Sequence, residues 1–230
     1  MLKFLPFILL ILYGFALWKF SAWQLGRQLD AQSRPLSDPG LKPVIARLAL
    51  ALGLPGIPVH VYEVDPVNGL AAPDGRVFLT RGFLRKYESG LVSADEIGAV
   101  IAHELGHVAL GHSRRRMIDF TGQNALRILL MTLLGRILPF IGIWIANILA
   151  TALAARLSRR DEFEADEYAS ALLVKAGIGT GPQKSLFHKL DRLTSSPGEG
   201  IPAWLLTHPK SPERIAAIEA NEARWGIRSG

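Results

Sequence analysis

His103-Glu104-Leu105-Gly106-His107 constrains this chain more tightly than any other five residues. Positions i and i+4 of an α-helix lie one above the other on the same face. Two imidazoles placed so can grip one metal ion, and zinc is the ion this spacing suits. Glu104 sits about 100° round the helix from His103. It can reach a water molecule beside the ion without ligating the ion itself. The alternative is a buried helix whose two histidines are satisfied by hydrogen bonds. The surrounding residues specify the helix well. Ser93-Ala94-Asp95-Glu96 reads as a capping box. Ile97, Val100, Ile101, Leu105, Val108 and Ala109 then recur at helical spacing, which predicts a largely buried helix.

The rest of such a site must come from elsewhere. The 230 residues include no cysteine, so a metal here takes histidine and carboxylate ligands. The formal charge of +6 and a pI near 9.8 admit nucleic acid or a membrane surface as partners. The membrane is favoured, because the mean hydropathy is +0.23 and apolar runs of lipid grade occur. No aromatic residues interleave with the arginines as in RNA-binding sheets, so nucleic acid is not expected.

Residues 1–23 read as an N-terminal transmembrane anchor. Phe4 to Phe20 is apolar except for Tyr13, Gly14 and Lys19, and Trp18 and Trp23 suit an interface. A cleaved signal peptide is the alternative, but the apolar run is long for one. Lys19, Arg27, Arg34, Lys42 and Arg47 follow the run, against Lys3 before it. That bias places the following domain on the cytoplasmic side of a bacterial inner membrane, with the periplasmic side as the alternative. Residues 24–43 read as a linker and 44–226 as the catalytic domain. Within it, Val44–Leu52 predicts a short helix stopped by Gly53. Val59–Val64 and Arg76–Thr80 predict strands, and His60 decorates the first of them. Residues 123–157 are apolar apart from a few polar positions, with Arg136 and Pro139 as breaks. They predict a helical hairpin that dips into the interface or shields the site, or else a pair of ordinary core helices.

Catalytic zinc takes three protein ligands and keeps one position open. The acidic cluster Asp161, Glu162, Glu164 and Asp166 is the best source of the third. It is expected to open a helix at Ser158 that runs to about Ala176. Glu162 and Asp166 form an i, i+4 pair, whereas Glu164 lies about 200° from Glu162 and points away. One of the pair can bind the ion while the other accepts an N–H from a ligand histidine. An acidic first turn that merely complements its helix dipole is the alternative.

Several stretches together resemble the M48 family of membrane-associated zinc metallopeptidases, which has HtpX-like, Ste24-like and BepA-like branches. The HExxH motif is joined by Ser158-Arg159, Glu162 and Ala165-Asp166. It is joined too by Asn68 with Ala72-Pro73, Gly75 and Val77-Phe78-Leu79-Thr80-Arg81-Gly82, and by Thr207-His208-Pro209 with Arg214-Ile215. The resemblance runs from about Val44 to Ala220 and keeps the family order. It implies an α+β, mostly helical fold of gluzincin type with a small sheet, here preceded by a transmembrane helix. It implies His103, His107 and Glu162 as ligands of one zinc per chain. Asp166 and Arg214 then stand behind the ligands, with Arg214 bearing on those carboxylates or on the substrate. His208 sits at the cleft, where it stabilises a developing oxyanion or caps the ion in a closed state. Val77, Phe78, Leu79 and Thr80 would form an edge strand for an extended substrate. HtpX-like relatives carry several full spans, whereas this chain has one clear run and a shortened insert.

The function expected is a membrane-anchored zinc endopeptidase with Glu104 as general base, acting on polypeptides such as misfolded membrane proteins. Two other readings compete with it. One is a non-catalytic, membrane-tethered chaperone or scaffold with a closed structural zinc. The other is a basic module that binds membrane surfaces without zinc.

Overall fold

The computed structural model of this chain describes residues 5–72, 74–112, 128–138, 141–193 and 211–227. Helix α1 spans Leu5–Gln32 and strand β1 Ser33–Pro35, followed by α2 at Lys42–Leu52. Strands β2 (Val59–Tyr62), β3 (Gly69–Ala71) and β4 (Val77–Thr80) lead into α3 (Arg81–Glu88) and α4 (Ala94–Ala109). Helix α5 covers residues 128–137, α6 Gly142–Lys175, α7 Gly181–Leu193 and α8 Ser211–Trp225. This is the α+β, mostly helical architecture with a small sheet that the family resemblance implies. Contacts divide the chain into two compact units, Met1–Ala31 with Gly111–Arg160, and Gln32–Leu110 with Asp161–Gly230.

The second unit holds the sheet and the motif helix. The strand order is β1-β2-β4-β3, with β2 and β4 parallel and the outer pairs antiparallel. Alternation along the strands sends Val59, Val61, Val77 and Leu79 to one face. These side chains share one core with residues from six helices: Val44 and Leu48 of α2, Phe83 of α3, Ile97 and Ile101 of α4, Leu173 of α6, Leu186 of α7 and Ile218 of α8. The predicted capping box forms. Ser93 Oγ accepts the Glu96 N–H at 3.2 Å, and Glu96 Oε2 accepts the Ser93 N–H at 2.8 Å. Such a cap is worth about 1 kcal/mol and fixes where α4 begins.

Three expectations change here. Strand β4 is not an edge. It pairs with β2 on one side and β3 on the other, and Val77, Phe78, Leu79 and Thr80 are all buried. The edge beside α4 is β3, a strand whose three residues Gly-Leu-Ala carry little strand signal. Helix α6 starts at Gly142 rather than Ser158, because no Gly or Pro interrupts residues 143–175. The acidic cluster therefore lies mid-helix, and the reading of it as a dipole-complementing first turn falls. The stretch 24–43 is not a free linker either. It continues α1 to Gln32, then pairs Ser33–Pro35 with β2, and Asp38 Oδ1 accepts the N–H groups of Gly40 and Leu41.

The first unit contains most of α1, with α5 and the first half of α6. A methyl group added at Gly142 would lie 2.1 Å from the carbonyl oxygen of Leu134, so α5 and α6 turn tightly on one another there. Ala146 and Ala150 are buried, while Trp144 is 71% exposed and Ile137 and Ile148 are exposed too. Among the described residues no helix is long and apolar enough to cross a membrane, so the transmembrane helix expected over residues 1–23 is not found there.

Candidate metal centre

All the geometry of the site lies within the second unit. His103 and His107 stand one turn apart on α4 with Nε2 atoms 3.1 Å apart. Helix α6 crosses close by, and Gly106 is the reason it can. A Cβ at Gly106 would lie 3.0 Å from the carbonyl oxygen of Ala165 and 3.3 Å from Tyr168 Cβ. Glycine inside a helix costs about 1 kcal/mol relative to alanine. Here it lets two backbones approach, and that approach carries Glu162 to the histidines. Glu162 Oε2 is 3.4 Å from His103 Nε2, and Glu162 Oε1 is 3.5 Å from His107 Nε2.

The two Nε2 atoms thus lie 3.1 Å apart, each is 3.4 to 3.5 Å from one of the two Glu162 carboxylate oxygens, and one ligand atom from each of the three residues falls within 4.8 Å of the others. A tetrahedral ion with ligand bonds of about 2.0–2.1 Å separates its ligand atoms by roughly 3.3–3.4 Å. The residues fit a metal ion by that measure. They fit by chemistry as well: two imidazoles and a carboxylate are ligands that a divalent ion such as zinc accepts.

Asp166, one turn after Glu162, orients the first histidine. Its Oδ1 accepts the His103 Nδ1–H at 2.9 Å. That bond keeps the proton on Nδ1 and turns Nε2 toward the triangle. Arg214 of α8, fully buried, donates Nε–H to Asp166 Oδ2 and Nη2–H to Oδ1, each at 2.6 Å. Burial disfavours the charged form of Asp166, but the guanidinium outweighs it and holds the carboxyl below its usual range. Burial likewise opposes a charged His103, yet its hydrogen bonds to Asp166 and Glu162 prevail and push it up to about 9. The surroundings of His103 favour a cation, whether a proton or a metal.

Glu104 lies on the sheet side of α4. A Cβ at Gly69 would be 3.5 Å from Glu104 Oε1 and 2.7 Å from Val100 Cγ1, so glycine lets the edge strand lie against the motif helix. His208 lies outside the described residues. The structure thus brings together His103, Glu104, His107, Glu162, Asp166 and Arg214 and keeps Val77–Thr80 one strand further in. Sequence reading missed Gly106, Gly69 and the contributions of α7. Glycine within a buried helix was the available signal for Gly106. On α7, Gln183 Nε2 donates to the Asp166 carbonyl at 3.3 Å, and Ser170 Oγ lies 2.7 Å from Gln183 Oε1.

Comparison with known proteins bears on what such a site does. The pattern of peptidase family M48 matches residues 35–222. Metalloprotease LoiP of Escherichia coli strain K12 is 30% identical over 230 aligned residues, covering 91% of this chain and 86% of that protein. Metalloprotease YcaL of the same strain is 33% identical over 178 residues, 76% of this chain and 67% of that protein. Protease HtpX of Xanthomonas axonopodis pv. citri strain 306 is 28% identical over 229 residues, 85% and 76% of the two chains. With the match to the family covering most of its length and a buried histidine-carboxylate triangle at the HExxH helix, this chain belongs to peptidase family M48 and is a metalloendopeptidase.

Proposed function

We propose that the chain is a zinc endopeptidase, attached to a membrane, that cleaves extended segments of unfolded or misfolded polypeptides. The observation that carries the reading is the donor triangle of His103, His107 and Glu162. Two imidazoles and one carboxylate, in a chain without cysteine, suit zinc with a position left open. When bound, zinc supplies Lewis acidity, activating water and polarising the scissile carbonyl. Glu104 takes the proton of the attacking water and hands it to the departing amine. Asp166 keeps His103 in the ligating tautomer, and Arg214 holds Asp166. His208 carries the remaining role, steadying the oxyanion as it develops.

Substrate would pair with β3 rather than β4. Thr80 N–H donates to the Asn68 carbonyl and Ala72 N–H to the Arg76 carbonyl, which turns the backbone groups of Leu70 toward β4. Gly69 and Ala71 therefore turn their backbone groups away from β4, and of these the Gly69 N–H is already taken by Asn68 Oδ1 at 3.0 Å. An extended peptide added there is held by main-chain bonds with little demand on its sequence.

Support for the membrane comes from the first unit. Its helices bury Ala146 and Ala150 and expose Leu12, Phe15, Trp23, Ile128, Leu133 and Trp144. Small residues inside with large apolar residues outside is the pattern of helices packed in lipid. On that pattern we read residues 1–23 and 123–157 as the parts that attach the chain to lipid, with the catalytic unit on the cytoplasmic side by the charge bias. A reporter fused after Gly230 tests the side.

The decisive experiment is Glu104→Gln. It should keep one zinc per chain and lose hydrolysis of casein, an unfolded polypeptide, by on the order of 10³-fold. Cleavage that survives the substitution removes Glu104 from the role of base.

A further inference from the structure

Helix α7 supplies none of the three ligand atoms, yet it reaches the groups behind them. The ring of Phe187, 2% exposed, has its centroid 4.1 Å from the guanidinium carbon of Arg214. Arg214 makes its paired 2.6 Å bonds to Asp166, and Asp166 takes the His103 Nδ1–H at 2.9 Å. Phe187, Arg214, Asp166 and His103 thus form a continuous line from an aromatic face to a metal ligand.

Each link has a geometric requirement. A guanidinium offers its two N–H groups to a carboxylate in parallel only when the two planes are matched. Asp166 can hold His103 in one tautomer and one ring orientation only while its own orientation is held. A flat aromatic face attracts the cation through its quadrupole and lies against the guanidinium over its whole area. An aliphatic side chain of similar bulk would fill the space and leave the plane unset.

We propose that Phe187 is a positioning residue of the metal centre. Its ring fixes the plane of Arg214 so that both N–H groups engage Asp166, and through Asp166 it sets how tightly His103 holds the ion. The inference rests on the reading of His103, His107 and Glu162 as zinc ligands. A core residue with no such role is the competing explanation, since Phe187 also belongs to the hydrophobic core.

The test measures the zinc dissociation constant of the full chain by chelator competition. It compares wild type, Phe187→Leu, Phe187→Tyr, Arg214→Gln and the double variant Phe187→Leu/Arg214→Gln. The visible spectrum of the cobalt-substituted protein and the melting temperature after chelation accompany each. Phe187→Leu should weaken zinc binding about tenfold, the lower end of what a lost orienting partner costs. It should also alter the cobalt spectrum, whereas Phe187→Tyr, which keeps the face, should restore both. In the Arg214→Gln background Phe187→Leu should cost nothing further, because the line is already cut. Zinc affinity unchanged in Phe187→Leu overturns the proposal, as does an equal loss with and without Arg214. If Phe187→Leu does not fold, Phe187→Met takes its place with the same two criteria. Wild type that binds no zinc overturns the ligand reading itself, and this proposal with it.

Discussion

The two halves of α6 invert one another. From Gly142 to Ala150 the large apolar residues are outside, with Trp144 71% exposed, and the buried positions are Gly142, Ala146 and Ala150. From Asp161 onward acidic residues are inside, with Glu162 and Asp166 each 1% exposed. Hydrophobicity alone does not decide which side of this helix is covered. What both halves share is the use of small residues to bring helices together. Gly142 lets the α5–α6 turn close, and Ala165 against Gly106 lets α6 lie on α4. In one half the close approach leaves bulky side chains pointing outward. In the other it delivers a carboxylate to two imidazoles. The lesson is that small residues mark where backbones must meet, and the environment built around the meeting then dictates the rest.

The strongest way to break this comparison is Glu162→Ala in the acidic half. Two histidines alone do not make a catalytic zinc site. Zinc per chain measured after dialysis should fall from one to near zero, and casein hydrolysis should vanish with it. Full zinc occupancy in Glu162→Ala would mean that the buried carboxylate serves only packing, and the contrast between the halves would lose its meaning.

A smaller effect sharpens the other half. The chain has no cysteine, so a single cysteine can be labelled cleanly. Trp144→Cys carrying an environment-sensitive NBD dye should shift to the blue and brighten severalfold on reconstitution into phospholipid vesicles. The same dye on Lys175→Cys, at the exposed end of the acidic half, should keep a water-like emission. Equal spectra at the two positions would show that the outward apolar residues do not meet lipid.

What was legible in the sequence follows the range of the interaction that specifies it. The HExxH spacing and the Ser93–Glu96 capping box are local, and helical geometry alone fixes them. The carboxylate that meets the two histidines was legible to within one turn, because Glu162 and Asp166 share a face. Separating their roles required the crossing of α4 and α6, set by Gly106 and Ala165, and local patterns carry no record of a crossing. The edge strand was misplaced for the same reason. Val77–Thr80 has the residues of a strand, but being central or peripheral is a property of its neighbours. The true edge, Gly69-Leu70-Ala71, trades strand propensity for contact with Glu104. The start of α6 was set too late because the change from apolar to charged residues at Ser158 looked like a boundary. With no Gly or Pro to break it, the helix continues.

The smallest effect concerns pH and separates proton from metal as the cation the site prefers. His103 lies between Asp166 and Glu162 with its folded-state value raised from 6.5 to about 9. A raised value means stability that is fully present below 6.5 and lost as pH rises through about 9. Protein stripped of metal by a chelator should therefore show a melting temperature that falls between pH 6.5 and pH 9. Glu96 works in the opposite sense. Burial pushes it up, but bonds from Lys189, Ser185 and the Ser93 N–H prevail and hold it below 4.5. Its contribution is present above that value and lost as pH falls, so it does not mimic the alkaline loss. In zinc-loaded protein the ion replaces the proton on the histidine, and the same pH window should be flat. Calorimetry of both forms across pH 6.5 to 9 makes the comparison. A stripped protein as indifferent to pH as the loaded one would show that Asp166 and Glu162 do not hold His103 as the geometry implies, and the acidic half of α6 would no longer be a site built around a cation.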